Sequence, residues 1–236
     1  MVAGMRVVAL WRYPVKSMQG ERLTEVGVGT FGLDGDRGAG VLDLATGLVL
    51  TARRDPPLLH AAARRGPDGR VEVVLPGGRA ACSDEDLSAW LGRPVRLEHA
   101  SPSSPPKYED DEQRPWGGPA GAFHDDGNVR VSLLGAETIA RLGNWDVRRF
   151  RPNIVLDGDH EDALPGCRVR LGSAMLEVVQ PVRRCVVVTR PQPDGVGRDL
   201  DVLRTILRER AGNLAVGAVV VEPGAVRVGD EVEVLP

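Results

Sequence analysis

Aromatic residues are scarce in this chain of 236 residues, where Phe, Trp and Tyr together make up 4% of the sequence. A surface that stacks nucleic-acid bases needs several exposed aromatic rings, so the composition argues against one. An excess of positive charge is absent as well, because the formal net charge is −3. A general binder of polyanions is therefore not expected.

Cysteines are few, and the three present are Cys82, Cys167 and Cys185. Their number is odd and no C-x-x-C motif occurs, which argues against a disulfide framework and against a zinc ribbon. The sequence contains no apolar run of about 18 residues, the length that spans a membrane. The apolar run at residues 7–11 is too short for the core of a signal peptide. We therefore expect a cytoplasmic protein without a membrane span.

Glycine-rich nucleotide motifs are also missing, since neither G-x-G-x-x-G nor a Walker A sequence is present, and nothing indicates NAD or ATP chemistry. Turn residues, in contrast, are abundant, with 29 glycines and 18 prolines. Many short apolar segments lie between the turns, among them residues 6–15 and 185–189, and they predict strands. Helical patterns occur at residues 84–91, 136–142 and 200–210. The predicted fold class is α+β and predominantly β, with few helices.

A domain boundary is predicted near residue 100. Residues 101–106 are rich in serine and proline, residues 109–112 are acidic, and no periodic pattern follows up to residue 126. Such a segment is typical of a solvated loop or linker. We therefore predict a β-rich N-terminal region over residues 1–100 and a second domain over residues 101–236.

Cys185 follows two arginines, Arg183 and Arg184, and is expected to open a valine-rich strand. A cysteine in such a strand is most often a small core residue. Adjacent cations, however, favour the thiolate form, and a thiolate that faces a cleft can bind a soft metal. Cys82 and Cys167 lack such neighbours and are expected to be structural.

Three further patches combine cations with hydrogen-bonding side chains. The segment R-R-F-R-P-N holds Arg151 and Asn153 beside a proline that blocks a helix, which fits either an exposed basic edge or an anion pocket. Lys16 and Ser17 are adjacent where a strand is expected to end. Arg37 lies in the turn G-L-D-G-D-R, which lacks the ligand spacing of a calcium loop.

These patches, in this order, resemble the motifs of the MOSC family, whose domain is also found at the C-terminus of molybdenum-cofactor sulfurases. The matching segments are Y-P-V-K-S from Tyr13, G-L-D-G-D-R from Gly32, T-A-R from Thr51, R-F-R-P-N-I-V-L from Arg149, R-C-V-V-V-T from Arg184 and P-G-A-V-R-V-G-D from Pro223. The two-part arrangement is similar to that of the mitochondrial amidoxime reducing component and its bacterial relatives. The resemblance implies a β-rich N-terminal subdomain packed on a MOSC β-barrel-like domain.

The resemblance also implies a molybdenum cofactor of the molybdopterin type, with Cys185 as the catalytic residue and the protein ligand of the metal. It assigns the pterin and its phosphate to other side chains, namely Lys16, Ser17, Arg37, Asn128, Arg151, Asn153, Arg183 and Arg184. The residue types agree with the chemistry, because a phosphate and a metal dithiolene need several cations and one thiolate. Since these residues come from both halves of the chain, the cofactor is expected in a cleft between the halves.

The implied function is an oxidoreductase that reduces N-hydroxylated or N-oxygenated compounds, such as amidoximes and hydroxylamines. Its electrons are expected from a separate ferredoxin, flavodoxin or cytochrome b5-like protein with its reductase, because the chain has no cysteines of the kind that hold a [2Fe–2S] cluster. An alternative function is a cofactor carrier or a sulfur-transfer module without reductase turnover. A third alternative is a structural protein whose site has been emptied.

Two positions depart from the family pattern. Gly217 stands where relatives often have a tyrosine, and Gly127 with Asn128 stands where they carry a hydroxyl residue. The substrate pocket or one hydrogen bond to the cofactor is therefore expected to differ. His124 and Asp125 lie in the aperiodic segment, so the sequence predicts no catalytic acid or base.

Overall fold

The structure is a computed structural model that describes residues 4–109 and 116–235. Short strands make up most of its regular structure, as the abundance of turn residues predicts. In chain order the strands are β1 (Val7–Arg12), β2 (Glu21–Leu23), β3 (Glu25–Gly29), β4 (Gly32–Leu33), β5 (Ala39–Asp43), β6 (Ala62–Arg65), β7 (Val71–Val74), β8 (Ala80–Ala81), β9 (Val95–His99), β10 (Lys107–Tyr108), β11 (Trp116–Gly117), β12 (Val131–Gly135), β13 (Ile154–Leu156), β14 (Arg168–Leu171), β15 (Ala174–Arg183), β16 (Asn213–Glu222), β17 (Gly224–Arg227) and β18 (Val232–Leu235).

The helices are few and short, and the predicted ones are confirmed. The α-helices are α1 (Asp84–Leu91), α2 (Ala136–Leu142) and α3 (Asp201–Arg210), and the 3₁₀ helices are Pro56–His60, Val147–Arg149, Glu161–Ala163 and Val186–Thr189. Local caps delimit α1, because Ser83 Oγ accepts a hydrogen bond from the amide of Asp86 and Gly92 ends the helix with φ 70°. Within the two described ranges, no helix is long and apolar enough to cross a membrane.

One eight-stranded sheet, in the order β18-β14-β15-β16-β12-β13-β1-β2, curls into a half barrel. β12 and β13 run parallel, and the other neighbours in this sheet run antiparallel. Side chains of this sheet form the larger apolar core, in which Leu10, Leu133, Ile154 and Leu176 are fully buried. β1 lies between β13 and β2, so the N-terminal strand completes a sheet that is otherwise built mainly by the second half of the chain.

Most of the remaining N-terminal strands form small sheets around a second apolar core. β5 pairs with β9, and β6, β7 and β8 form a meander. Leu50, Leu58, Val73 and Leu87 are buried between these strands and α1. A further small sheet joins β3 and β4 to β17, which connects the N-terminal region to the C-terminal strands. The fold class is therefore α+β and predominantly β, as predicted.

The predicted strand at residues 185–189 is wrong. Cys185 is extended, but the 3₁₀ helix Val186–Thr189 follows it directly. The carbonyl of Cys185 accepts a hydrogen bond from the amide of Val188 at 3.2 Å, and Thr189 Oγ1 donates to the carbonyl of Val186 at 2.8 Å. These local hydrogen bonds satisfy groups that a strand would pair with a neighbour, so the β-branched composition does not decide the conformation.

The predicted solvated linker at residues 101–126 is also wrong in its last part. Ala122, Phe123 and His124 are buried. The amide of Phe123 donates to the carbonyl of Arg37 at 2.7 Å, and its ring packs in a small apolar cluster with Val49 and Tyr108. Periodicity did not reveal this packing, because the buried residues belong to an irregular segment that is held by distant parts of the chain.

Candidate functional site

A cleft of about 510 Å³ opens where loops from both halves of the chain meet. Its polar and charged lining includes Lys16, Ser17, Arg37, Thr51, Arg53, Glu109, His124, Asp125, Arg130, Arg151, Asn153, Gln180, Arg183, Arg184 and Cys185. Every residue that the sequence assigned to the cofactor lines this cleft except Asn128. Asn128 is exposed in the turn before β12, where its amide donates to Asp126 Oδ1 at 2.7 Å. The structure therefore brings the predicted residues together apart from this one.

Three residues of the cleft wall have strained backbone conformations. Ser17, Arg37 and Arg151 have φ values of 70°, 49° and 50°, in the left-handed region that residues other than glycine rarely adopt. Such conformations persist only where the surrounding structure holds them, and they cluster at functional sites. Here the pairing of β1 with β13 brings the loops that contain Ser17 and Arg151 side by side. A hydrogen bond from the amide of Arg37 to the carbonyl of Tyr13, at 2.7 Å, ties the third loop to them.

Arg37 is held in place by the buried carboxylate of Asp36. Its guanidinium donates to Asp36 and, at 3.2 Å, to the carbonyl of Arg151. Asp36 also accepts from the amide of Tyr13 at 2.8 Å. Burial acts to lower the pKa of Arg37, but the ion pair with Asp36 outweighs it and raises that pKa. Arg37 therefore fixes the orientation of neighbouring backbone and stays charged.

Arg151 is half-buried against the ring of Tyr13, with its guanidinium carbon 4.3 Å from the ring centroid. One of its terminal nitrogens donates to the carbonyl of Met18. The other, Nη2, is buried and has no hydrogen-bond partner among the described residues. Burial and the charge of Arg37 lower the pKa of Arg151 to about 10, so it remains a cation at neutral pH.

Arg184, which also lines the cleft, is held by main-chain carbonyls as well. Its Nε donates to the carbonyl of Leu214 and its Nη1 to that of Phe150, both at 2.8 Å. Nη2 is again buried without a partner in the described part of the chain. Burial lowers the pKa of Arg184 to about 10, although the neighbouring Cys185 opposes the shift. Two fixed cations thus each present one free donor nitrogen.

Lys16 forms an ion pair with Asp125 across the cleft. Its side chain is 5% exposed, and its Nζ lies 4.3 Å from the ring centroid of Tyr108. Burial lowers the pKa of Lys16, and the ion pair opposes that shift. Burial in the cleft acts to raise the pKa of Asp125, but the positive charges of Lys16 and Arg37 outweigh it, and the pKa is lowered. Because the Asp125 side chain remains 78% exposed, the cations rather than burial decide its charge.

Cys185 is half-buried at the start of the 3₁₀ helix, directly after Arg184, and its thiol faces the cleft. Arg183 is exposed at the rim. The buried side chain of Arg149 positions this helix, since it donates to the carbonyls of Val188 at 3.2 Å and of Gly197 at 2.7 Å. The sequence assigned Arg151 and not Arg149 to the cofactor, but it did not predict the contacts of Arg149 with this helix, because they are tertiary.

Asn153 lies under the floor of the cleft and is 1% exposed. Its Oδ1 accepts from the amide of Ser132 at 3.1 Å, and its Nδ2 donates to the carbonyl of Trp11 at 3.4 Å. These bonds join β12, β13 and β1. Asn153 therefore acts in this structure as a link between strands beneath the cationic side chains.

Two titratable groups in the cleft were not predicted from the sequence. His124 is 5% exposed, and its ring nitrogen Nε2 lies 3.2 Å from the carbonyl oxygen of Phe31. Burial and the charge of Arg37 lower the pKa of His124 to about 4, so the ring is neutral at pH 7. The second group is Glu109 at the end of β10, where burial raises the pKa of the carboxyl to about 7. Neither belongs to a sequence motif.

The side chain of Val129 packs against Gly217 and leaves no space for a larger residue at that position. A Cβ atom placed on Gly217 would lie 2.4 Å from Val129 Cγ2, so the valine occupies the space into which a side chain at 217 would extend. Gly217 pairs with Ser132 on one side and with Gln180 on the other. Ser132, Gln180 and Val129 all line the cleft. The departure from the family pattern is thus accommodated by local packing.

The unpartnered donors show which ligand this cleft fits. Buried polar atoms without a hydrogen bond are costly and uncommon in folded proteins. Here several of them, Thr51 Oγ1, Arg130 Nη1, Arg151 Nη2 and Arg184 Nη2, belong to residues that line one cleft. A phosphate would satisfy the guanidinium donors, and the adjacent thiol suits a soft metal. The residues present therefore fit a phosphorylated, metal-bearing cofactor.

The fold and the cleft together define a strand-rich protein with a cleft lined by cationic side chains and a thiol. A sequence model of the MOSC N-terminal beta barrel domain matches residues 4–104, and a model of the MOSC domain matches residues 132–233. The chain belongs to the MOSC-domain family, which is associated with proteins that bind the molybdenum cofactor.

The solved structures that this chain resembles have low sequence identity to it. The YuaD protein from Bacillus subtilis is 15% identical with a TM-score of 0.50, over 98% of this chain and 94% of its own. A hypothetical protein of known crystal structure is 11% identical with a TM-score of 0.49, over 99% of this chain and 68% of its own. YiiM from Geobacillus stearothermophilus is 17% identical with a TM-score of 0.38, over 58% of this chain and 73% of its own. No curated protein matches the sequence significantly.

Proposed function

We propose that this protein binds the molybdenum cofactor in the cleft and reduces N-hydroxylated or N-oxygenated compounds. The observation that supports the proposal best is the pair of buried, unpartnered guanidinium nitrogens on Arg151 and Arg184 in the same cleft as the Cys185 thiol. Membership in the MOSC-domain family supports it as well. A hydroxylamine R–NHOH takes up two electrons and two protons and yields R–NH₂ and water.

The cleft residues that the sequence assigned to the cofactor each have a part in this proposal. Arg151 and Arg184 donate to the cofactor phosphate, and Lys16 adds a third positive charge. Ser17 and Arg183 contact the pterin part, while Arg37 and Asn153 hold the surrounding loops. The thiolate of Cys185 is the protein ligand of the metal. When bound, the cofactor would supply the two-electron redox chemistry of the reduction.

In this proposal an external protein supplies the electrons; the three cysteines are free thiols, fewer than the four that hold a [2Fe–2S] cluster. A ferredoxin, a flavodoxin or a cytochrome b5-like protein with its reductase provides the required one-electron or two-electron steps. In an assay of the reduction, a chemical reductant can replace the electron-donor protein.

The metal-ligand assignment is tested by measuring molybdenum per chain after purification from a host that makes the cofactor. We expect nearly one molybdenum per chain in the parent protein and its loss in Cys185→Ala. Cys167→Ala is the matched control, since Cys167 is also half-buried but lies outside the cleft. Equal molybdenum in Cys185→Ala and in the parent would contradict the assignment.

Turnover separates the reductase from the alternative function of a cofactor carrier or sulfur-transfer module. The loaded protein is mixed with an amidoxime or a hydroxylamine and a chemical reductant, and formation of the amidine or amine is followed. Product formed at many equivalents per molybdenum supports the reductase. A protein that keeps its molybdenum and reduces neither substrate is a carrier.

A further inference from the structure

One hydroxyl in the cleft wall has no part in the proposed function. Thr51 opens the segment T-A-R, which matches the family pattern but received no role from it. It lines the cleft and is 7% exposed, and its Oγ1 is buried without a hydrogen bond to any group of residues 4–109 and 116–235. A buried hydroxyl without a partner is costly, and valine would fill the same space without that cost. The hydroxyl of Thr51 therefore points to a ligand in the cleft.

The backbone on both sides of Thr51 holds its side chain in one direction. Leu50 is fully buried, and its amide donates to the carbonyl of Val41 at 2.8 Å. The carbonyl of Thr51 accepts from the amides of Arg54 at 3.0 Å and of Asp55 at 2.7 Å. A β-branched side chain has few χ1 rotamers, so a fixed backbone also restricts the hydroxyl. Thr51 is therefore preorganised to bind a ligand.

Ser17 brings a second hydroxyl to the same part of the cleft wall. Its Oγ accepts a hydrogen bond from the amide of Ala52, the residue after Thr51, at 2.9 Å. Because this oxygen accepts from a backbone amide, the hydroxyl proton of Ser17 is left for another acceptor. Ser17 and Thr51 both line the cleft. Together they offer two donors and an acceptor that carry no charge.

The T-A-R segment is tied to the helix that follows the thiol of Cys185. Arg190 ends the 3₁₀ helix Val186–Thr189, and its Nη2 donates to the carbonyl of Arg53 at 2.7 Å. This hydrogen bond joins the two halves of the chain directly beside the cleft. Since Thr51 and Cys185 line the same cleft of about 510 Å³, one ligand can contact both of them.

Uncharged hydroxyls suit a different part of a cofactor from the part that arginines bind. A phosphate is an anion and is recognised by guanidinium groups. A pterin ring is neutral, and its edge carries N–H donors, ring nitrogens and a carbonyl oxygen. Hydroxyls that both donate and accept match such an edge, and a neutral ring needs no opposite charge.

We propose that Thr51 binds the pterin ring of the cofactor, with Ser17 beside it, and so sets the orientation of the ring in the cleft. The inference rests on the proposed function, of which it needs the binding of the cofactor but not the reduction. In this arrangement Arg151 and Arg184 hold the phosphate, and the two hydroxyls hold the ring.

The first test compares the thermal midpoints of full-length chains purified from a host that does not make the cofactor. We expect Thr51→Val to have the same midpoint as the parent or a higher one, because a methyl group replaces an unpaired hydroxyl. Thr138→Val is the comparison, since Thr138 Oγ1 donates to Glu161 at 2.9 Å and its loss should lower the midpoint. A lower midpoint of Thr51→Val would show that its hydroxyl is bonded within the protein, and would overturn the inference.

The second test measures the binding of free pterin, the ring without phosphate or metal, by quenching of its fluorescence. We expect saturable binding by the parent and about tenfold weaker binding by Thr51→Val, the effect of one lost hydrogen bond. Thr51→Ser keeps a hydroxyl and should bind nearly as tightly as the parent. Thr24→Val is the matched control, because Thr24 is exposed and lies outside the cleft. Inorganic phosphate should raise the thermal midpoints of the parent and of Thr51→Val equally.

The outcomes separate failure of the inference from failure of the proposed function. If the parent does not bind pterin, or if Thr51→Val binds it as tightly as the parent, Thr51 does not hold the ring, whatever the loaded protein reduces. Weaker stabilisation of Thr51→Val by phosphate would assign the hydroxyl to the phosphate and overturn the inference as well. If pterin binding depends on Thr51 but the molybdenum-loaded parent reduces no substrate, the reductase fails and the ring contact stands.

Discussion

At the residue scale, the cationic side chains of the cleft are preorganised, because the surrounding structure already holds them in place. Three of its side chains stand on strained, left-handed backbone, and Arg151 and Arg184 are each held by hydrogen bonds to main-chain carbonyls. The remaining guanidinium nitrogens are then fixed in direction. Side chains that are already ordered lose little conformational entropy when a ligand binds. Less of the favourable interaction free energy with an anion is therefore offset by ordering.

Removal of one prepared arginine should weaken retention of the phosphorylated cofactor. We expect Arg151→Ala to cost about 2–4 kcal/mol, since a charge-assisted contact is lost and Nη2 can no longer satisfy the phosphate. The dissociation constant, measured by cofactor release and metal analysis, should rise accordingly. Arg148→Ala is the control, because Arg148 pairs with Asp146 and Asp194 outside the cleft. A fully loaded Arg151→Ala protein would count against the phosphate contact.

At the element scale, the packing of β16 against the turn before β12 determines which side chains the cleft wall can hold. Gly217 sits in the middle of β16, and Val129 covers it from the preceding turn. A larger residue at 217 requires a smaller one at 129. The site therefore depends on a pair of positions that lie far apart in the sequence but in contact in the fold.

The Gly217 and Val129 positions should be strongly coupled. Gly217→Ala forces a Cβ atom into Val129 and is expected to lower the free energy of unfolding by about 1–3 kcal/mol. Val129→Ala vacates that space, so the double variant should be more stable than the sum of the two single effects predicts. Urea denaturation of the four proteins measures this coupling. Strict additivity would show that Val129 does not occupy the space.

At the scale of the whole molecule, the two halves of the chain share both the large sheet and the cleft. β1 lies between β13 and β2, and Val7 and Leu10 on β1 are buried in the larger core. Lys16 and Arg37 then extend from the first half to the cleft beside Arg151 and Cys185. The predicted domain boundary near residue 100 stays a prediction. The eight-stranded sheet contains strands from both sides of that position.

A chain of residues 101–236 alone should not fold stably. It leaves the edge of β13 unpaired and removes Val7 and Leu10 from the core, and each lost large aliphatic side chain costs about 2–5 kcal/mol. A typical domain has only about 5–15 kcal/mol of stability in total. Dispersed NMR signals should return when residues 1–100 are co-expressed as a separate chain. A cooperative thermal transition of residues 101–236 without that partner would contradict this expectation.

The sequence by itself determined the fold class, the three α-helices and the main cationic residues and thiol of the cleft. Caps such as Ser83 and Gly92 act within one helical turn, and the order of motifs around Lys16, Arg37, Arg151 and Cys185 identified the family, so local information sufficed. It could not determine which arginines keep a free donor nitrogen, nor that Asn128 lies away from the cleft.

Only the tertiary structure decided how these groups act. It placed Asn153 in hydrogen bonds between strands, turned the residues after Cys185 into a 3₁₀ helix, and buried His124 beside the carbonyl of Phe31. The physical reason is the same in each case: burial and partner distance decide the hydrogen bonding and charge of a polar group. Those quantities are set by residues remote in the chain, which no local pattern records.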